Sequence, residues 1–157
     1  MQKLDDLDRK ILDILIENTR TPFTDIAKRL LISAGTVHVR VKKMEDTGII
    51  KGSSLTLDYK MLGYNFIAYV GVLIDRSKRT YEIIEELKKK PYITVAHITT
   101  GKYNIFLKIR AKGTEHAREI IFSIDDVEGV LRTETMISLE ESINDKKRLM
   151  KSIFNEL

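Results

Sequence analysis

Residues 33–52 read SAGTVHVRVKKMEDTGIIKG and begin with a hydroxyl and two small residues before cations appear along the segment. Ser33 suits the N-cap of a helix, and Gly48 suits the position after a helix C-terminus. Apolar residues at helical spacing form a stripe of Val37, Val41 and Met44. The segment therefore predicts a helix with one buried face, a basic remainder and an N-terminus that can approach another molecule closely.

Two further helices precede this segment. Residues 5–18 carry apolar side chains at helical spacing, and residues 21–31 follow with Thr21 as the predicted N-cap and Pro22 at the first helical position. Residues 26–52 hold six cations and two anions, whereas residues 1–25 hold four cations and six anions. Three short helices with a basic last helix predict a helix-turn-helix. On charge alone, two solvated helix faces remain an alternative to a phosphate-binding face.

The last of these helices is the predicted DNA-recognition element, because the N-terminal part of that helix enters the major groove in helix-turn-helix proteins. Small residues at its start would allow close approach, hydroxyl and imidazole groups can reach base edges, and a valine can contact a thymine methyl. The cations would flank phosphates. The predicted DNA-binding residues are Ser33, Ala34, Gly35, Thr36, His38, Val39, Arg40, Lys42 and Lys43. In the alternative, Ser33 and Thr36 serve only as caps.

After Gly52 the apolar pattern changes its period. Strands are predicted at residues 65–75, 92–100, 104–111 and 129–140, and helices at 80–90 and 115–124. This βαββαβ order is that of the ferredoxin-like unit. The predicted fold class is α+β, with a winged-type helix-turn-helix domain over residues 1–51, a hinge strand or linker over 52–63, a ferredoxin-like domain over 64–140 and a C-terminal packing helix over 141–157.

The first strand of the predicted sheet is apolar on both faces. Ala68, Val70 and Val72 alternate with Ile67, Tyr69 and Leu73. Helices of this fold cover one face of the sheet, so the other face predicts self-association. For the C-terminal helix, an apolar face of Met150, Ile153, Phe154 and Leu157 favours packing on the sheet or a neighbouring subunit, with a membrane-surface helix as the alternative.

Composition argues against several other classes of protein. The chain has no cysteine, which excludes disulfides and thiolate metal sites and favours the cytoplasm. Its N-terminus is too charged for a signal peptide, and its longest apolar run, FIAYVGVLI, is too short to cross a membrane. The histidines show no ligand spacing, and no catalytic motif is present. We therefore expect no enzyme, no metal, no cofactor and no membrane partner.

Five further stretches of the chain are specific in sequence and together cover roughly residues 4–139. They are LDDLDRKILDIL, DIAKRLLISAGTVHVRVKKMEDTGIIKG, LDYKMLGYNFIAYVGV, HITTGKYNIFLKI and GVLRTETMISL. These stretches resemble the leucine-responsive/asparagine regulator (Lrp/AsnC) family. The resemblance implies an N-terminal DNA-binding domain, a hinge strand and a C-terminal domain that dimerises and binds an amino acid. It also implies that dimers assemble further, to octamers.

The resemblance places the effector site near the loop between the second and third strands, here TTGKYN at residues 99–104. Gly101 would permit a tight turn whose N–H groups bind a carboxylate. Asn104 stands where the family usually has aspartate, so Glu134 of a neighbouring subunit is a candidate partner for an ammonium group. The predicted effector-binding residues are Thr100, Gly101, Lys102, Tyr103, Asn104, Thr133 and Thr135. A plain β-turn without a ligand is the alternative.

These features favour a cytoplasmic transcription regulator that binds double-stranded DNA as a homo-oligomer and responds to an amino acid or a related small effector. Two alternatives remain open at this point. One is an architectural DNA-wrapping protein that has no effector. The other is a metabolic enzyme or small-molecule-binding domain with a vestigial helix-turn-helix.

Overall fold

A computed structural model describes residues 4–145, 149–150 and 152–153. The chain divides into two compact units, one reaching Thr56 and the other spanning residues 57–142, with the described residues from Ile143 onward grouped with the first. Of the predicted C-terminal helix over residues 141–157, residues 141–145 are described and form no helix, residues 149–150 and 152–153 are described and helical, and the rest lie outside the described residues. Of its predicted apolar face only Met150 and Ile153 are described, and both are helical.

The first unit contains three helices, α1 (Asp6–Glu17), α2 (Phe23–Leu30) and α3 (Ala34–Asp46). Asp5 caps α1 in a reciprocal capping box with Asp8. The prediction for α2 was wrong by one residue, because Pro22 occupies the N-cap position and makes no side-chain capping bond. The hydroxyl of Thr21 instead donates to the carbonyl oxygen of Asn18, at 2.8 Å.

The predicted helical stripes form the core of this unit. Ile11, Ile26 and Val37, one from each helix, are completely buried. Between α2 and α3 the chain turns through Leu31, which has φ 56° and is the C-cap of α2. Within residues 4–56 no β-strand forms, so the helix-turn-helix unit has no stranded wing there. Residues 52–63, predicted as a hinge strand or linker, contain no strand.

The second unit is the predicted βαββαβ domain: β1 (Phe66–Ile74), α4 (Thr80–Lys88), β2 (Ile93–Ile98), β3 (Ile105–Ala111), α5 (Thr114–Asp125) and β4 (Val130–Ile137). Its antiparallel sheet has the order β2-β3-β1-β4. Alternate residues of β1 and β3 pack with the buried faces of both helices, which confirms the α+β fold class. This core includes Val70, Val72, Ile83, Leu107 and Ile124.

The opposite side of the sheet, which we call the helix-free face, is lined by the other alternate residues of β1, β3 and β4. Tyr69 stacks on Phe106 with ring centroids 5.8 Å apart, and the ammonium of Lys108 lies 2.5 Å from a carboxylate oxygen of Glu141. Met136 is 43% exposed on this face. The face is thus a mixture of aromatic, apolar and paired charged groups rather than purely apolar. Among the described helices, none combines the length and the apolar character that a bilayer-spanning segment requires.

Candidate nucleic-acid interface and effector loop

The start of α3 is capped as the sequence predicts. Ser33 Oγ accepts a hydrogen bond from the backbone N–H of Thr36 at 3.0 Å, and the two hydroxyl oxygens lie 2.9 Å apart. Gly35 follows in the first turn and is exposed; a Cβ there would meet only Ser33 Oγ, at 3.7 Å. Packing within this chain therefore does not require a glycine at position 35. Glycine there also weakens the helix, so it has no stabilising role within this unit. The small residue leaves space on the outside of the helix.

Two side chains that follow the cap point away from the core. His38 is exposed and its ring centroid lies 6.1 Å from that of Phe23. Val39 is 66% exposed, and Leu31, in the turn before α3, is 92% exposed. An imidazole can hydrogen-bond a base edge, and an exposed valine can contact a thymine methyl. The outer side of α3 thus offers both kinds of contact next to the small residues of its first turn.

The lysines of α3 differ in their surroundings. Lys42 pairs with Asp46 one turn later, with 2.9 Å between Nζ and Oδ1, and the hydrogen bond from this pair raises the pKa of Lys42. Lys43 is exposed and makes no ion pair with any residue in the described part of the chain. Lys43 is therefore the cation of α3 that is most available to a phosphate.

Arg40, which the sequence predicts to lie near phosphate, is paired with carboxylates of its own unit. Its Nη1 donates to Asp5 Oδ2 at 2.6 Å and to Asp8 Oδ1 at 2.7 Å, so its charge is shared between two carboxylates of the α1 N-terminus. The hydrogen bond from Arg40 is the largest cause of the lowered pKa of Asp5, and the same contacts raise the pKa of Arg40. Arg40 joins α3 to α1. No feature of the local sequence reveals this role, because the partners lie more than thirty residues apart.

Residues 99–104 form a loop that is closed by its own hydrogen bonds. The N–H of Thr99 donates to the carbonyl of Asn104 at 3.0 Å, and the hydroxyl of Thr99 donates to the carbonyl of Tyr103 at 2.7 Å. Gly101 has a backbone φ of 101°, which residues other than glycine rarely adopt. Thr100, Gly101 and Lys102 are exposed. Their backbone N–H groups donate to no other residue within the described ranges.

The Tyr103 side chain packs on the helix-free face and is held there by a hydrogen bond. Its ring lies over Gly71, where a Cβ would sit 2.5 Å from Tyr103 Cδ1, and its hydroxyl donates to Glu134 Oε2 at 2.6 Å. The same carboxylate accepts from Lys102 at 2.6 Å and lies 3.0 Å from Arg132. The hydrogen bond from Lys102, followed by that from Tyr103, lowers the pKa of Glu134. Because Glu134 is already paired within its own chain, it is not a free carboxylate for an ammonium group.

The remaining predicted effector residues are Asn104, Thr133 and Thr135, and their surroundings differ from those of the exposed loop residues. Asn104 Oδ1 accepts from the N–H of Ile74 at 3.1 Å, and the Asn104 N–H donates to the carbonyl of Val72 at 2.9 Å, so Asn104 ties the loop to β1. Thr133 and Thr135 pair in register with buried Val72 and Val70, whereas Glu134 pairs with Gly71. Directly paired residues share a face of the sheet. The two threonines therefore lie on the helix-covered side, opposite Tyr103.

Comparison with known proteins places both units in one family. Residues 4–45 match the AsnC-type helix-turn-helix domain, and residues 67–147 match the Lrp/AsnC ligand binding domain. Regulatory protein AsnC of Haemophilus influenzae is 35% identical over 144 residues, which are 91% of this chain and 96% of that protein. An uncharacterised HTH-type transcriptional regulator of Pyrococcus furiosus is 36% identical over 138 residues, covering 88% of this chain and 93% of its own length.

Solved structures show the same architecture. Escherichia coli AsnC superimposes with a TM-score of 0.87 at 33% identity, covering 91% of this chain and 97% of that one. A transcriptional regulator from Neisseria meningitidis, solved as an L-Met complex, has a TM-score of 0.85 at 23% identity, with 92% and 95% covered. These regulators form a family that is not enzymatic, which confirms the prediction that the chain is not an enzyme. The chain belongs to the Lrp/AsnC family of helix-turn-helix transcription regulators.

Proposed function

We propose that this regulator binds specific sequences in double-stranded DNA as a homodimer in the cytoplasm and that an amino acid modulates its binding. The observation that carries the DNA-binding part is the outer side of α3. There Gly35 is exposed without an internal packing reason, beside exposed His38 and Val39 and next to the available Lys43. Such a surface combines close approach, base contacts and a phosphate contact.

Replacing Lys43 with alanine should weaken binding to all DNA sequences and reduce the slope of log affinity against log salt by about 0.9, the value for one phosphate contact on duplex DNA. The measurement is a binding titration on duplex DNA at several salt concentrations. Lys10 is an exposed lysine of α1, so Lys10→Ala is the matched control and should leave the slope unchanged. An unchanged slope for Lys43→Ala would contradict docking of α3.

The effector part of the proposal rests on the loop at residues 99–104. Gly101 opens a turn whose neighbouring N–H groups have no partner among the described residues, and successive free N–H groups of this kind bind carboxylates. Lys102 adds a cation, although it is shared with Glu134. The Neisseria regulator, described as an L-Met complex, supports an amino acid as the class of ligand. Tyr103 supplies an aromatic wall beside the loop.

A thermal-shift screen of the amino acids tests this part. A ligand that binds only the folded protein stabilises it by about 2.7 kcal/mol at 100 times its Kd, so a hit at millimolar concentration should raise Tm measurably. Gly101→Val forces a side chain into φ 101° and should abolish the shift. Gly113→Val is the matched control, because Gly113 has extended backbone with open space around it.

Two outcomes of this screen would change the proposal. A folded Gly101→Val variant that binds the same amino acid equally well would place the site elsewhere in the protein. If no amino acid raises Tm, the alternative function is favoured, namely an architectural DNA-wrapping protein that has no effector. The exposed lysines of α3, of which only Lys43 is unpaired among the described residues, do not distinguish the two functions. Both functions require phosphate contacts.

The proposed dimer uses the helix-free face. Aromatic rings and Met136 lie beside paired charges there, which is the mixture of apolar and polar groups found in protein interfaces. A two-fold dimer would present two α3 helices, with half-sites about one helical turn or a multiple apart. Assembly of dimers to octamers is proposed from the family resemblance.

A further inference from the structure

The second half of the predicted hinge is an ordered turn of the C-terminal unit. Residues 58–64, which we call the hinge turn, are closed by a hydrogen bond from the N–H of Tyr64 to the carbonyl of Tyr59 at 2.8 Å and by one from Gly63 to Lys60 at 2.9 Å. Asp58 Oδ1 accepts from the N–H of Lys60, also at 2.9 Å. Gly63 has φ 81°, which glycine adopts easily.

Arg110 of β3 holds both ends of this turn. Its guanidinium carbon lies 4.7 Å from the ring centroid of Tyr59, within the range of a cation–π contact, and Nη1 lies 3.4 Å from the carbonyl oxygen of Tyr64. The ring of Tyr64 joins Tyr92 and His116, with centroids 6.2 Å away in each case. One side chain of the sheet therefore bridges the two tyrosines that begin and end the closed turn.

The segment just before the hinge turn, residues 51–57, is not held by hydrogen bonds of this kind. The last backbone hydrogen bond of the N-terminal unit in this stretch runs from the N–H of Ile50 to the carbonyl of Met44, at 3.0 Å. Residues 51–57 form no helix or strand and no hydrogen bond with another described residue. The free connection between the units is thus shorter than the predicted hinge over residues 52–63 suggests.

We propose that Arg110 is a positioning residue that fixes the hinge turn on the sheet and so limits the free linker to residues 51–57. Seven residues span at most about 25 Å, whereas residues 51–64 would span at most about 50 Å if the turn were released. The additional reach of about 25 Å corresponds to roughly seven base pairs at 3.4 Å each. Arg110 therefore limits the range of half-site spacings that a dimer can bind. This consequence rests on the proposed function, whereas the anchoring itself does not.

Limited trypsin digestion tests the anchoring without DNA. Lys51 and Lys60 are both exposed, but only Lys60 lies in the hydrogen-bonded turn, which must open before cleavage. In the wild type, cleavage after Lys51 should be at least ten-fold faster than after Lys60. Arg110→Met should speed cleavage after Lys60 at least five-fold and leave Lys51 unchanged. Tyr59→Ala, which removes the ring that Arg110 covers, should act in the same way, and exposed Arg118→Met is the control.

A spacing series tests the consequence for DNA binding. The duplex is selected by the wild-type protein from a random-sequence pool, and its two half-sites are then separated by zero to ten additional base pairs. Adding five base pairs should lower wild-type affinity at least ten-fold but that of Arg110→Met at most three-fold. Equal losses in both proteins, or a wild type indifferent to spacing, would overturn the inference.

The two experiments separate failure of the inference from failure of the proposed function. If the wild type selects no duplex, DNA recognition by α3 is wrong, and the digestion alone decides whether Arg110 anchors the turn. If cleavage after Lys60 is as fast as after Lys51 in the wild type, or unaffected in both Arg110→Met and Tyr59→Ala, the anchoring is wrong even where DNA binding is intact.

Discussion

Replacing Arg40 with methionine is expected to lower the free energy of unfolding by about 2 kcal/mol, because it leaves buried Asp8 without its charged hydrogen-bond partner. Arg40 also joins α1 to α3, so DNA affinity should fall. The slope of log affinity against log salt should nevertheless equal that of the wild type, because Arg40 neutralises carboxylates rather than phosphates. Denaturant unfolding and salt-dependent binding measure the two effects. A salt slope reduced by about 0.9 would show that Arg40 contacts a phosphate after all.

The Arg40 contact also predicts a pH dependence. The folded-state pKa of Asp5 lies below its ordinary value of 3.8, so its contribution to stability is present above that value and is lost as the pH falls through the lower folded-state value. Arg40→Met lacks the contact at every pH. The stability difference between wild type and variant should therefore shrink as the pH falls below about 4. Arg20→Met, at an exposed position of the same unit, is the control.

Gly71→Ala is expected to destabilise the C-terminal unit by about 2 kcal/mol, because the added Cβ would lie 2.5 Å from the ring of Tyr103. The ring would have to leave the helix-free face, and its hydrogen bond to Glu134 would be lost. Adding Tyr103→Ala removes the clash, so the double variant should be at least 1 kcal/mol more stable than the sum of the single effects predicts. Gly113→Ala adds a methyl group in open space at the N-cap of α5, so it should cost clearly less, at most about 1 kcal/mol.

The same substitution tests the proposed dimer. A displaced Tyr103 would project from the helix-free face, so Gly71→Ala should weaken self-association at least ten-fold. Light scattering across a dilution series measures this change, with the wild type at least dimeric at the start. A wild type that is monomeric throughout would remove the argument for an interface on this face. A variant that dimerises normally would place the interface elsewhere.

Local features of this protein were predictable from its sequence. The Ser33 cap and the stripe of Val37, Val41 and Met44 depend on residues within one helix, and the structure contains both. The alternation along β1 likewise divided its residues between two faces of the sheet, and the structure shows which of the two sets packs against the helices. The prediction that Thr21 is the N-cap of α2 was wrong because its hydroxyl has a competing acceptor, the carbonyl of Asn18. Even local capping rules fail where a neighbouring turn offers a stronger partner.

The candidate sites could be predicted only in part, because their decisive contacts join distant parts of the chain. Nothing near Arg40 reveals that Asp5 and Asp8 take its charge. The register between β1 and β4 separates Thr133 and Thr135 from Tyr103 and brings Glu134 to it, and a shift of one residue would exchange these faces. The sequence by itself determined most of the helices, the order of helices and strands along the chain, and the family. Only the tertiary structure decided which charges are paired, since pairing depends on side-chain distances that local periodicity does not contain.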